Sequence, residues 1–204
     1  MFTKENLKKS ILIAYKKGDT VYMGTDTRVI AGDSKRNELC ECNYKIQKLD
    51  NGMLLGITGE RLERQTLIAY SEIFTLDKNG ELTKKHIVKE IIPNLLSVLE
   101  KENLLVEKDG ELPYVKATIL LAHKDTLYEI CANFAVIKYE DFQVLGRVAD
   151  SAQATMANTK ETDDINERIV KALDIASSNS QCVGKPYLLI DTKGLKYNLV
   201  GGNE

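Results

Sequence analysis

No apolar run in this chain approaches the roughly 20 residues that a membrane-spanning helix needs. Neither sign of charge is in excess. Lys and Arg number 28 and Asp and Glu 30, for a net charge of −2, so neither a nucleic-acid footprint nor a polybasic membrane patch is expected. The opening stretch MFTKENLKK is too polar for a signal peptide, which points to the cytoplasm. Histidine is scarce, with His86 and His123 in unrelated contexts. The cysteines are Cys40, Cys42, Cys131 and Cys182, scattered through a chain of cytosolic character in which thiols stay reduced. Cys40-Glu41-Cys42 is at most half of a metal motif, because structural zinc wants a second pair or histidines at set spacing. Cys131 and Cys182 read as small core hydrophobes. No metal, organic cofactor or nucleic acid is expected.

What is present is 204 residues, enough for one well-buried domain or two small ones, and an informative order of elements. SILIAY (10–15) and TVYMGT (20–25) are short runs rich in β-branched and aromatic residues, joined by a Lys17-Gly18-Asp19 turn. A polar loop, RVIAGDSKRNELCEC, follows. NYKIQKL (43–49) then alternates apolar and polar, Asp50-Asn51-Gly52 turns, and MLLGIT (53–58) is a buried strand. After Gly59 the period changes: Leu62, Thr66, Ala69, Tyr70, Ile73 and Phe74 fall on one helical stripe. Asn79-Gly80 breaks it, and Thr83 is placed to cap a helix over 84–102 that Pro93 should kink or interrupt.

Four more strands are expected at 116–123, 126–131, 135–139 and 142–146, with short connections that favour antiparallel neighbours. Helices follow at 149–158 and 163–178. The second has Thr162 as cap and two aspartates in its first turn. Strands at 186–192 and 195–200 close the chain. Helices thus come in pairs between groups of hairpin-linked strands. A doubly wound parallel fold does not fit that order. A four-layer α-β-β-α sandwich of two antiparallel sheets, of the α+β class, does.

This order, with Ser10, TDTR, YKIQKL and LLGITG in their places, resembles the proteasome β-subunit family, and within it the bacterial HslV-type peptidase, an N-terminal-nucleophile hydrolase. The resemblance covers about residues 10 to 200 and is strongest over the first 65. It implies a leader over 1–9 and one proteasome β-like domain over 10–204. It also implies a polypeptide substrate, a homo-oligomeric ring and an ATP-driven unfoldase of the AAA+ type as partner. Ser10 falls where the family keeps its nucleophilic threonine. Asp26 matches the aspartate that ends the second strand, and Lys45 the lysine that opens the third. Gly59 matches the glycine whose backbone N–H belongs to the oxyanion hole. In such a scheme the base is the α-amine of residue 10 itself, whose ordinary pKa is about 7.7–8.0.

Each of these residues also has a plain structural reading. A serine can simply begin a strand, Asp26 suits a turn, Lys45 can stand exposed on an alternating strand, and Gly59 can serve local geometry. The chain departs from the family's pattern in three ways. While residues 1–9 are attached, the nitrogen of Ser10 is an amide without basicity. Gly146-Arg147-Val148 stands where the family shows Gly-Ser-Gly. The stretch SSNSQCVGK (177–185) lacks the family's aspartate, leaving Ser178, Asn179 or Ser180 as neutral substitutes. A catalytically degenerate subunit acting as a scaffold or binding protein is therefore the alternative. An unrelated α+β binding domain, with helices on one face only, is a third.

Overall fold

Alternation of side chains along the strands decides which surfaces meet. The computed structural model describes residues 10–31, 34–37, 39–107, 110, 112–159, 164–194 and 196–201. The expected leader 1–9 and the Thr162 cap lie outside these residues.

Twelve strands and five α-helical segments follow one another in the described chain. Strands β1 (Ile11–Lys17), β2 (Thr20–Asp26), β10 (Phe142–Gly146), β11 (Tyr187–Asp191) and β12 (Asn198–Val200) form one antiparallel sheet, in the order β10-β1-β2-β11-β12. Strands β5 (Ile46–Lys48), β6 (Leu54–Gly59), β7 (Ala117–His123), β8 (Thr126–Ile130) and β9 (Val136–Tyr139) form the second, in sequence order and again antiparallel. A separate hairpin, β3 (Arg28–Ala31) with β4 (Ser34–Asn37), occupies part of the stretch expected to be a loop.

Because successive residues point to opposite faces, each central strand feeds two apolar layers. Leu12 and Ala14 of β1 meet Leu54, Leu120 and Ala122 between the sheets. Ile11, Ile13 and Tyr15 point the other way, onto Ala152 and Met156 of α4 (Ala149–Asn158) and Ile169 and Leu173 of α5 (Ile165–Asn179). On the outer face of the second sheet, Leu55, Ile57, Ile119 and Leu121 pack on Leu67 of α1 (Arg61–Ala69) and on Leu95 and Leu99 of α3 (Ile92–Lys101). Each fully buried aliphatic side chain contributes roughly 1.5–3 kcal/mol, so three continuous apolar layers hold four structural layers together. Helices on both outer faces are the expected sandwich and not the one-faced alternative.

Local signals mostly behave as the residues suggest. The Thr83 hydroxyl accepts from His86 N at 3.2 Å and caps α2 (Lys84–His86). Pro93 has no N–H to give, and the helix answers with a π turn over Ile87–Ile91 rather than a break. Asp164 caps α5 by accepting from Asn166 N at 2.7 Å and Glu167 N at 3.2 Å. The stripe expected on α1 is rotated: Leu62 is 62% exposed, while Glu63, Arg64 and Leu67 face inward. The helix is shorter than its apolar pattern and gives way to a 3-10 turn at Ser71–Ile73, so residues on either side of that change do not share one face.

Candidate active site

Three of the four residues singled out in the sequence converge at one end of the sandwich. Asp26 is the last residue of β2 and has no exposed surface; Ser10 and Lys45 are each 4% exposed. The Lys45 ammonium donates to Asp26 Oδ1 at 2.7 Å and to the Arg28 carbonyl at 3.0 Å. Asp26 Oδ1 also accepts from Ile11 N at 3.2 Å, and Oδ2 from Arg28 N at 3.2 Å. Burial pushes the Asp26 carboxyl up from its ordinary value, while the Lys45 ammonium and the two N–H groups pull it down. With both oxygens accepting, the group is a carboxylate in a buried ion pair.

The peptide unit that follows Ser10 is gripped at both ends. Its carbonyl oxygen accepts from Arg147 N at 2.8 Å, and its N–H, that of Ile11, is the one held by Asp26. The Thr25 hydroxyl adds a bond to the Ile11 carbonyl at 2.6 Å. Gly146 makes the first contact possible. It sits opposite Ile11 across β1 and β10 with φ +111°, and a Cβ there would run into the Ser10 carbonyl. No hydrogen bond ties the Ser10 hydroxyl to a described side chain.

Gly59 ends β6 at the same end of the sandwich, two residues beyond Ile57, whose N–H donates to the Lys45 carbonyl at 2.9 Å. Its φ of +137° and the 2.7 Å separation of an added Cβ from Ala117 Cα leave room for glycine alone. A cavity of about 10 Å³ beside Asp26 and Lys45, lined also by Thr25, Thr27, Asn43, Tyr44 and Leu188, has room for about one water.

The departures from the family's pattern also have a physical form. Val148, where the pattern has glycine, takes the left-handed conformation with φ +55° and ψ 27°. The loop after α5 offers carbonyls rather than a carboxylate: Arg28 Nη1 donates to Gln181 O at 3.3 Å and Val183 O at 3.0 Å. The Ser178 hydroxyl turns back to Asp174 O at 3.0 Å, and the Ser180 hydroxyl accepts from Cys182 N at 3.2 Å, so both are engaged within their own segment. Sequence reasoning met Gly146 and Arg147 only as a departure from the family's pattern and gave no role to the glycine's backbone or to the Arg147 N–H. Their only signal is a glycine at the end of a strand.

By sequence, the chain matches no family profile and no curated protein. By structure, it is similar to the BPH protein of Thiobacillus denitrificans, with a TM-score of 0.68 at 19% identity over 89% of this chain and 96% of that chain. The same BPH has been solved in complex with epoxomicin. HslV from Trypanosoma brucei gives a TM-score of 0.60 at 16% identity, covering 89% of this chain and 98% of that one. Anbu from Hyphomicrobium sp. strain MC1 gives 0.67 at 12% identity, over 93% and 87%.

The chain has a proteasome/HslV-type fold. In this proteasome-like fold, Ser10 leads the first strand of the β10-β1-β2-β11-β12 sheet, and the carboxylate of the Asp26–Lys45 pair accepts from the N–H of the next residue, Ile11. No helix among the described residues is long and apolar enough to cross a membrane.

Proposed function

We propose that the chain is an HslV-like peptidase subunit that hydrolyses peptide bonds once it is cut between Lys9 and Ser10. The observation that carries this reading is the buried Lys45–Asp26 pair, 2.7 Å apart, whose carboxylate also holds the N–H of the residue after Ser10. Cutting after Lys9 converts the Ser10 amide into an amine. That amine takes the hydroxyl proton as Ser10 Oγ attacks the scissile carbonyl carbon. The Gly59 N–H meets the developing oxyanion. The amine then returns the proton to the departing amine of the substrate, and water releases the acyl group from Ser10 by the reverse sequence. The Lys45 ammonium disfavours protonation of the new amine and keeps it basic near neutral pH, while Asp26 orients Lys45. Assembly into a homo-oligomeric ring, a polypeptide substrate fed by an AAA+ ATPase and a cytoplasmic setting belong to the same reading.

Intact-mass measurement of purified wild-type protein and of Ser10→Ala tests it. Wild type is expected to lose residues 1–9, to cleave fluorogenic peptides and to carry an epoxomicin adduct on Ser10; Ser10→Ala is expected to do none of these. A wild-type protein that keeps its leader and cleaves nothing overturns the proposal. A second reading, a proteasome-like scaffold without peptidase activity, is favoured by Val148 in the left-handed region and by the carbonyl-only loop after α5. It predicts a stable assembly that is indifferent to Ser10→Ala.

A further inference from the structure

Free cysteine is among the residue types most often buried, yet Cys40 and Cys42 are both exposed. They flank Glu41 at the entry to a 3-10 turn, Glu41–Asn43, with Cys40 extended at φ −81° and ψ 125°. Their sulfurs lie 2.6 Å apart. Backbone bonds close the turn that carries them. Asn43 N donates to Cys40 O at 2.9 Å and Tyr44 N to Glu41 O at 3.1 Å. Side chains close the turn from both flanks: the Tyr44 hydroxyl donates to Leu39 O at 3.2 Å, and Gln47 Nε2 donates to Glu41 O at 2.8 Å. Among the described residues no third cysteine, histidine or carboxylate stands near enough to complete a metal site. The remaining cysteines contrast with this pair. Cys131 is partly buried, bonded to Glu129 at 3.5 Å, and its thiol is pushed up to about 11 by burial, so it is a poor thiolate.

We propose that Cys40 and Cys42 form a thiol–disulfide exchange site that reacts with low-molecular-weight disulfides of the glutathione type. One thiolate attacks a sulfur of the oxidant and expels a first thiolate, leaving a mixed disulfide. The neighbouring cysteine, already in contact, then attacks the protein-side sulfur and expels the second. The two cysteines lose two protons and two electrons to form one intramolecular disulfide, and one oxidant disulfide becomes two thiols. The turn that carries the pair runs straight into Tyr44 and Lys45, the segment that delivers Lys45 to Asp26. The inference does not depend on peptidase activity.

The test equilibrates the full chain with mixtures of reduced and oxidised glutathione, quenches with acid, alkylates and digests. Cleavage after Arg36 and Lys45 yields the peptide NELCECNYK with both cysteines. As the mixture becomes more oxidising, this peptide is expected to pass in a single two-electron step from doubly alkylated to unalkylated and lighter by two hydrogens. Cys131 and Cys182 are expected to stay alkylated throughout. Cys42→Ser, lacking the second thiol, is expected to accumulate glutathione on Cys40, which the wild type resolves. Three results would each overturn the proposal: double alkylation at every ratio, glutathione retained equally on wild type and Cys42→Ser, or oxidation appearing only as a chain-to-chain dimer on a non-reducing gel.

Discussion

Replacing Lys45 by methionine removes one charge from the buried pair while keeping all but the last atom of the side chain's length, so the surrounding packing is little disturbed. Asp26, with no exposed surface, is left with two N–H donors and no counter-charge. Removing one partner of a buried ion pair costs about 3–5 kcal/mol. Against a total stability on the order of 5–15 kcal/mol, that loss is large but survivable. Its pH dependence has a definite sign. Burial already holds the Asp26 carboxyl above its ordinary value, and Lys45 is the main opposing influence. Without Lys45 the folded chain holds the Asp26 proton more tightly than the unfolded chain does. The variant's stability is therefore retained below the ordinary carboxylate value and lost as pH rises through the folded one. Urea unfolding of wild type and Lys45→Met at about pH 4 and about pH 8 should show a small gap at the lower pH and a gap of about 3–5 kcal/mol at the higher. Asp26→Leu combined with Lys45→Met removes both charges but leaves the Ile11 and Arg28 N–H groups without an acceptor. It should recover only part of the loss, since each such buried group costs about 1–3 kcal/mol. A Lys45→Met cost below about 1 kcal/mol, equal at both pH values, refutes the reasoning, because that is the behaviour of a solvated surface pair.

Val148→Gly should raise the stability measured by urea unfolding by about 1 kcal/mol, since a β-branched residue at φ +55° carries strain that glycine does not. Gly146→Ala should lower it by about 3 kcal/mol and displace the Ser10 carbonyl, visible as loss of protection of the Arg147 amide in hydrogen exchange. Burial raises the carboxyl of Glu63, whose Oε2 has no hydrogen-bond partner. This part of the stability is present below the ordinary carboxylate value and fades as pH rises through the raised one, so Glu63→Gln should flatten the fall in melting temperature as pH rises above the ordinary carboxylate range.

The two principal sheets were legible because their strands obey a period of two on both faces: in β1, Ile11 and Ile13 serve one layer and Leu12 and Ala14 the next. The β3–β4 hairpin was not, since the Ser-Lys-Arg-Asn arm has no apolar alternation to betray a strand. Helix α1 misled because its inward face carries Glu63 and Arg64, while Leu62 points to solvent. At the candidate site, Asp26 and Lys45 were picked out by the resemblance of TDTR and YKIQKL to the family's motifs, and the structure joins the two in a buried ion pair. The contributions of Gly146 and Arg147 come from backbone geometry and one N–H, and a backbone donor leaves almost no mark in a string of side chains.

The double hold on the Ser10–Ile11 peptide unit has a consequence for the proposed cut after Lys9. Every anchor named here that fixes the start of β1 lies on the downstream side of Ser10, so severing the bond on its upstream side removes none of them. A newly made chain end at this position would stay where the folded protein had already put it, with no refolding step between scission and readiness.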